Sequence, residues 1–212
     1  MPDLLLADDH AMIRAGLKVL ISSFWPHYHI DEAEDGDSAF EKIKQHNYDL
    51  MLLDINMPAT DSFALVSNII ALKPQMKIIM FSMYDETVYA QRFLKIGVKG
   101  YLQKDEGADE IKKAITMVLD NKKYVSPRLG ELLLENLESK GTENPFDRLS
   151  ARELEIALHL VRGESVAEIC NRLTLHSSTV GTHKARIFQK LGCTNVIDLN
   201  SLAKAYNIIF PE

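Results

Sequence analysis

The 212-residue chain has two cysteines, one tryptophan and no apolar run of 18 residues. The missing run excludes a membrane-spanning helix. Cys170 and Cys193 form neither a disulfide framework nor a metal-ligand spacing, which fits a reducing cytoplasm. The opening Met1-Pro2-Asp3 lacks a basic segment, so no secretory signal is expected. Absence of G-x-G-x-x-G, a Walker A lysine and G-x-S-x-G argues against dinucleotide binding, P-loop NTPase and serine hydrolase chemistry. Positive charge is also scarce. The formal net charge is −6, which for the whole chain argues against a nucleic-acid binder. That scarcity is uneven. Residues 1–124 carry 14 Lys/Arg against 19 Asp/Glu, residues 125–146 carry 2 against 4, and residues 147–212 carry 8 against 7. Between His176 and Gly192 there is no acid at all and there are three cations, Lys184, Arg186 and Lys190.

What is present up to residue 124 is an alternation of short apolar runs and amphipathic stretches. The runs are Leu4–Ala7, Ile30–Glu34 (weaker), Leu50–Leu53, Lys77–Phe81 and Gly100–Gln103. Between and after them, helical spacing is read over Ala11–Phe24, Ser38–His46, Ser62–Leu72, Glu86–Ile96 and Asp109–Asp120. Five βα units with nearly continuous apolar strands predict a five-stranded parallel, doubly wound sheet covered on both faces. Residues 125–146 are read as a linker. Ser126-Pro127 starts a helix whose Leu129, Leu132, Leu133 and Leu137 share a stripe that must dock on something, and Thr142–Pro145 is a loop. From residue 147 strand signals vanish. Two capping boxes, Ser150–Glu153 and Ser165–Glu168, open the first two of four helices, an all-α module of helix-turn-helix type.

In a parallel sheet the C-terminal strand ends open into one crevice. Asp8-Asp9, Asp54, Ser82 and Lys104 all fall at such ends. Three carboxylates that close repel one another unless a cation sits among them, and a hard divalent ion with oxygen ligands, Mg²⁺, relieves this. A carboxylate beside such an ion can attack phosphorus, with Lys104 and Ser82 holding the phosphoryl oxygens. The runs Leu6-Ala7-Asp8-Asp9-His10, Leu53-Asp54-Ile55-Asn56-Met57-Pro58, Ser82 and Tyr101-Leu102-Gln103-Lys104 resemble the flavodoxin-like receiver domain of two-component response regulators over residues 3 to about 120. The resemblance implies that Asp54 is the phosphoacceptor and that Asp8, Asp9, Asp54 and the Asn56 carbonyl hold Mg²⁺. It also implies that Ser82 and Lys104 contact the phosphoryl group, that Tyr101 is the aromatic that turns inward on activation, and that a sensor histidine kinase is the donor. The domain would catalyse only its own Mg²⁺-dependent phosphorylation and dephosphorylation. The chain departs from the pattern at Asp61-Ser62, where Asp-Gly is usual and Ser62 is expected to cap the following helix. It departs again at Asp105, where proline is usual, and at Met83, where a small residue is usual. Met83 and Tyr84 are expected to shield the site and slow hydrolysis of the phosphoaspartate.

On a helical wheel of the third C-terminal helix, Val180, Ile187 and Leu191 share the core side. Ser178, Thr182, Ala185, Arg186 and Gln189 lie opposite, with His183, Lys184 and Lys190 on the flanks. An apolar seam under a polar, acid-free, cationic face suits a helix in the DNA major groove. Leu149–Glu153, Gly163, Ile169, Leu173, Ser178-Thr179-Val180, His183, Ile187 and Lys190-Leu191-Gly192 resemble the LuxR-type helix-turn-helix over roughly 147–206. With the receiver-like half, the chain is similar to response regulators of the NarL/FixJ family. Base readout is expected from Thr182 and Arg186, with Gln189, and phosphate contacts from Lys184 and Lys190. Ser177, Ser178 and Thr179 would offer hydroxyl and N–H groups to phosphate, Gly181 would allow close approach of the helix backbone, and neither Gly181 nor Ala185 can supply a side-chain hydrogen bond. His183 is expected to pack or to touch a phosphate. The resemblance implies double-stranded DNA, the transcription machinery and, on activation, a second copy of the chain as partners. An aspartyl phosphatase of the haloacid-dehalogenase type is the alternative, weakened because Asn56 stands where a second acid is wanted. A third reading, a regulator with a silent receiver, is opposed by the complete set of site residues.

Overall fold

Leucine, isoleucine and methionine runs that leave no polar alternation can only be strands buried on both faces, and the computed structural model forms them so. It describes residues 2–84, 86–138, 144–206 and 208. Strands β1 (Asp3–Ala7), β2 (His29–Ala33), β3 (Leu50–Leu53), β4 (Lys77–Ser82) and β5 (Gly100–Gln103) are all parallel, in the order β2-β1-β3-β4-β5. Leu4, Leu5, Leu50, Met51, Leu53 and Ile78–Met80 are entirely buried. Helices α1 (Ala11–Phe24) and α5 (Ala108–Leu119) pack on each other, and α2 (Gly36–Gln45), α3 (Ser62–Leu72) and α4 (Glu86–Ile96) pack in series. The chain therefore reverses its direction of winding between β1 and β3, the place where such sheets bind ligands at their carboxyl ends.

The helix expected in the linker is α6 (Pro127–Glu138). Ser126 caps it, its Oγ accepting from Leu129 N–H at 3.0 Å, and the same hydroxyl donates to the buried Glu86 carboxylate at 2.6 Å. Leu129 is buried, and α6 packs on α4. Leu129, the first residue of the stripe, thus docks on the sheet domain. Described residues through 138 form one compact unit and those from 144 a second. Leu132 and Leu137 lie outside the described side chains. Part of the expected loop, Thr142-Glu143, lies outside the described residues; Pro145–Arg148 forms a single 3-10 turn capped by the Asn144 side chain.

The second unit holds α7 (Ala151–Val161), α8 (Val166–Leu173), α9 (Ser177–Leu191) and α10 (Val196–Ala205). Both capping boxes form. Gly163 and Gly192 adopt φ of 82° and 68° after α7 and α9, a region open to glycine at no steric cost. The α8–α9 turn uses Thr174 at φ 52° instead, a position the sequence did not mark. Leu154, Ile156, Ala157, Ile169, Val180, Ile187 and Leu199 form the core.

Candidate functional site

Backbone hydrogen bonds carry the sheet one residue past its strands and so fix the level of the site. Asp8 N–H donates to Ala33 O at 3.1 Å, Asp54 N–H to Ala7 O at 2.8 Å, and Lys104 N–H to Ser82 O at 2.9 Å. Side chains at these positions emerge at the same end of the sheet, as expected from their places after β1, β3, β4 and β5. Lys104 Nζ lies 2.7 Å from Asp8 Oδ2 and 3.0 Å from Asp54 Oδ2. All three side chains are buried, at 5%, 4% and 4% exposure. Asp9 sits at the rim, its Oδ1 2.7 Å from His10 Nδ1. His10 N–H also donates to Asp8 Oδ1 at 2.8 Å. Ligand atoms of Asp8, Asp9, His10 and Asp54 all lie within 4.8 Å of one another. His10 belongs to this group of possible ligands, though its only signal in the sequence is adjacency to Asp8-Asp9.

Burial pushes the Asp54 carboxyl up, the Lys104 ammonium pulls it down, Asp8 pushes it up again, and the outcome is a carboxyl above the ordinary range. Burial works against the Lys104 charge, but Asp54 and Asp8 outweigh it and hold the ammonium above its usual value. One ammonium against three carboxylates leaves the crevice net negative, and the donors are hard oxygens. Both properties suit a divalent cation of the Mg²⁺ type. Asn56 is exposed, and its backbone N–H bonds to the Asp54 carboxylate.

Ser82 is buried, and its Oγ accepts from Tyr84 N–H at 3.3 Å, which leaves the hydroxyl proton to donate. Tyr101 is buried with its OH donating to Tyr84 O at 2.8 Å, so the aromatic already faces inward. Met83 is 73% exposed, whereas the Tyr84 ring stacks on Tyr89 of α4. The expectation that Ser62 caps α3 is corrected. Asp61 is the cap, accepting from Phe63 and Ala64 N–H, while Ser62 is buried inside the first turn and donates to Ile55 O. The left-handed residue of this loop is Ala59, at φ 55°, so no glycine is required at position 62.

On the second unit α9 presents the face read from the wheel. Val180 and Ile187 are fully buried, while Ser178, Gly181, Thr182, Ala185, Arg186 and Gln189 are exposed, with Thr179 and Lys184 half-buried. A Cβ on Gly181 would meet nothing within 4 Å. Protein packing therefore does not explain a helix-interior glycine that costs about 1 kcal/mol relative to alanine. Thr182 Oγ1 donates to Ser178 O at 2.9 Å, so its oxygen faces outward only as an acceptor. His183 is half-buried; burial and the neighbouring Arg186, Arg152 and Lys190 outweigh Glu153 and hold it below its usual value, which favours packing over a cationic phosphate contact. Among the described residues neither Lys184 nor Arg186 has an ion-pair partner, whereas Lys190 Nζ is 2.5 Å from Glu153 Oε2.

Comparison with known proteins agrees with both halves. Residues 4–116 match the response regulator receiver domain and residues 147–203 match the luxR family of bacterial regulatory proteins. The response regulator UvrY of Escherichia coli K12 is 30% identical over 213 residues, covering 100% of this chain and 98% of UvrY. The response regulator GacA of Pseudomonas aeruginosa is 28% identical over 210 residues, covering 99% of this chain and 98% of GacA. Among solved structures, RcsB of Salmonella enterica serovar Typhimurium bound to promoter rprA with a beryllium fluoride phosphomimetic shares the fold. It has a TM-score of 0.58 at 22% identity, covering 97% of this chain and 100% of that one. With the receiver match spanning more than half of the chain and UvrY aligned end to end, this protein belongs to the NarL/FixJ family of two-component response regulators, a receiver domain joined to a LuxR-type helix-turn-helix domain.

Proposed function

We propose that Asp54 accepts a phosphoryl group from a sensor histidine kinase and that this event controls binding of α9 to duplex DNA. In this reading residues 1–124 receive the signal, 125–146 link, and 147–212 bind DNA. The observation that carries it is the Asp8–Lys104–Asp54 cluster at the carboxyl end of the sheet, in one chain with an acid-free helix face. An Asp54 oxygen attacks phosphorus as the donor imidazole nitrogen leaves with the electron pair of the P–N bond. Asp8, Asp9, Asp54 and the Asn56 carbonyl would hold Mg²⁺, which supplies charge neutralisation at the phosphoryl oxygens. Lys104 follows the new negative charge from the carboxylate to the phosphoryl group, and Ser82 donates its hydroxyl to it. Tyr101, in β5, donates to the Tyr84 carbonyl on the loop that follows Ser82, and this contact is the element placed to register the change. Beyond this self-directed transfer the reading includes no enzymatic activity.

Two copies, each reading a half-site, would act on DNA in the cytoplasm and engage the transcription machinery. The test is selection of bound DNA by the full chain with Mg²⁺, with and without beryllium fluoride, using Asp54→Ala as control. Sequence enrichment that depends on fluoride and vanishes in the variant supports the reading; enrichment indifferent to both overturns the switch.

Arg186 is the cation best placed to read a base. A bidentate arginine–guanine contact is worth about 1–3 kcal/mol of discrimination. Arg186→Ala is expected to weaken the selected site by that amount and random duplex much less. Equal losses on both, in a binding titration, make it a phosphate contact. At the other site, Met83 is exposed and unconfined, able to lie over a phosphorylated Asp54. Met83→Ala is expected to shorten the half-life of the labelled phosphoprotein more than Tyr84→Ala, whose ring is held by Tyr89. Unchanged decay in both variants sinks the shielding.

A further inference from the structure

The three cations of α9 are not equivalent. Lys184 stacks its ammonium 5.6 Å from the Phe188 ring, and Arg186 is exposed. Lys190, in the last turn, reaches back 37 residues to Glu153 on α7. Glu153 is 4% exposed in its side chain and is already fixed from its own end: Oε2 accepts from Ser150 N–H at 2.8 Å, and Ser150 Oγ accepts from Glu153 N–H at 3.2 Å. The carboxylate is thus rigid before the lysine arrives. Its charge needs a partner, because a buried carboxylate without one is strongly disfavoured. Burial alone would push the carboxyl up, yet the hydrogen bonds from Lys190 and Ser150 hold it below its ordinary value. Farther along the same seam Val180 and Ile187 fix the helix by packing, but Leu191 is only half-buried. Beyond Ile187, the ion pair is accordingly a tie that holds the C-terminal turn, the turn that carries Gln189, to α7.

We propose that Lys190 is a positioning residue, which pins the C-terminal end of the recognition helix to Glu153, and is not a phosphate ligand. The inference rests on the DNA-binding reading and corrects the phosphate role its charge suggests. The Lys190 side chain is 40% exposed, but its ammonium is paired, so a phosphate approaching this turn competes with the Glu153 carboxylate for it. Lys184 is then the α9 cation offered to the backbone of the duplex, and Arg186 stays exposed to read a base.

Salt dependence separates the two roles, since each neutralised phosphate adds about 0.9 to the slope of log K against log salt. The probe is a mixed-sequence 30-base-pair duplex, titrated with the full chain in Mg²⁺ and beryllium fluoride. Lys184→Met is expected to lower the slope by about 0.9. Lys190→Met is expected to leave the slope unchanged while weakening binding several-fold at every salt concentration, and Lys190→Arg, which keeps the pair, is expected to restore affinity. A slope that falls by about 0.9 in Lys190→Met overturns the proposal, as does a variant whose affinity and slope both match the unaltered chain. Should Lys190→Met fail to fold by circular dichroism, the double variant Glu153→Gln/Lys190→Met replaces it. Glutamine preserves the capping box, no buried charge is stranded, and the same slope criterion applies. An unaltered chain that binds no duplex defeats the DNA-binding reading itself and this inference with it, an outcome distinct from any change of slope.

Discussion

Replacement of Lys104 by methionine is expected to destabilise the first unit by about 3–5 kcal/mol in metal-free buffer at neutral pH, the range for removing one partner of a buried ion pair. The ammonium is the common neighbour of Asp8 and Asp54, and all three side chains are at most 5% exposed. Methionine fills much the same volume but leaves two buried carboxylates facing each other. The sign with pH follows. Asp54 is already held above the ordinary carboxyl range, chiefly by burial, and loss of Lys104 raises it further. A raised folded-state value means that the ionised form opposes folding. The penalty is therefore full above the shifted value and shrinks as pH falls through it and the proton returns. Mg²⁺ is expected to offset much of the loss, because it neutralises the same oxygens. Urea unfolding at neutral and mildly acidic pH, with and without Mg²⁺, reads all three effects. A loss below about 1 kcal/mol would show that the cluster is solvated and the ion pair unimportant.

Ile187→Ala is expected to cost about 2–5 kcal/mol in the second unit, because a fully buried branched side chain is lost from a close-packed interior. Small domains have little stability to lose, of the order of 5–15 kcal/mol at most. At roughly 4–8 °C per kcal/mol for a domain of this size, the melting transition of the second unit falls by about 10 °C or more. The first unit, a separate compact body with its own core, is expected to melt where it did before. Calorimetry resolves the two. The variant is expected to retain Asp54 phosphorylation and to lose DNA binding when warmed. A shift of both transitions together would mean that the units unfold as one.

Much of this was legible in the chain because it depends on local spacing. Leu4–Leu6 and Leu50–Leu53 have no polar alternation, and only burial on both faces accommodates that. Ser150–Glu153 and Ser165–Glu168 carry donors and acceptors three residues apart, and both form reciprocal caps. The exposed face of α9 follows from 100° per residue and nothing else. Where local chemistry offers two solutions, spacing along the chain does not choose between them. At Asp61-Ser62 either side chain can cap a helix, and the choice fell to Asp61 because Ser62 is drawn inside to the Ile55 carbonyl.

The amino-acid sequence by itself determined the five parallel strands, the two capping-box helix starts and the convergence of Asp8, Asp54, Ser82 and Lys104 on one edge, since a parallel sheet has only one carboxyl end. The tertiary structure alone decided which charges are available and which are committed. Lys184, Arg186 and Lys190 are alike as letters, yet one is held by a buried carboxylate 37 residues away. Likewise α6 shows an apolar stripe in the sequence, but its seat on α4, tied by Ser126 to Glu86 40 residues earlier, has no local signal. Such pairings are set by packing across elements distant in the chain, where the desolvation of one group selects its partner.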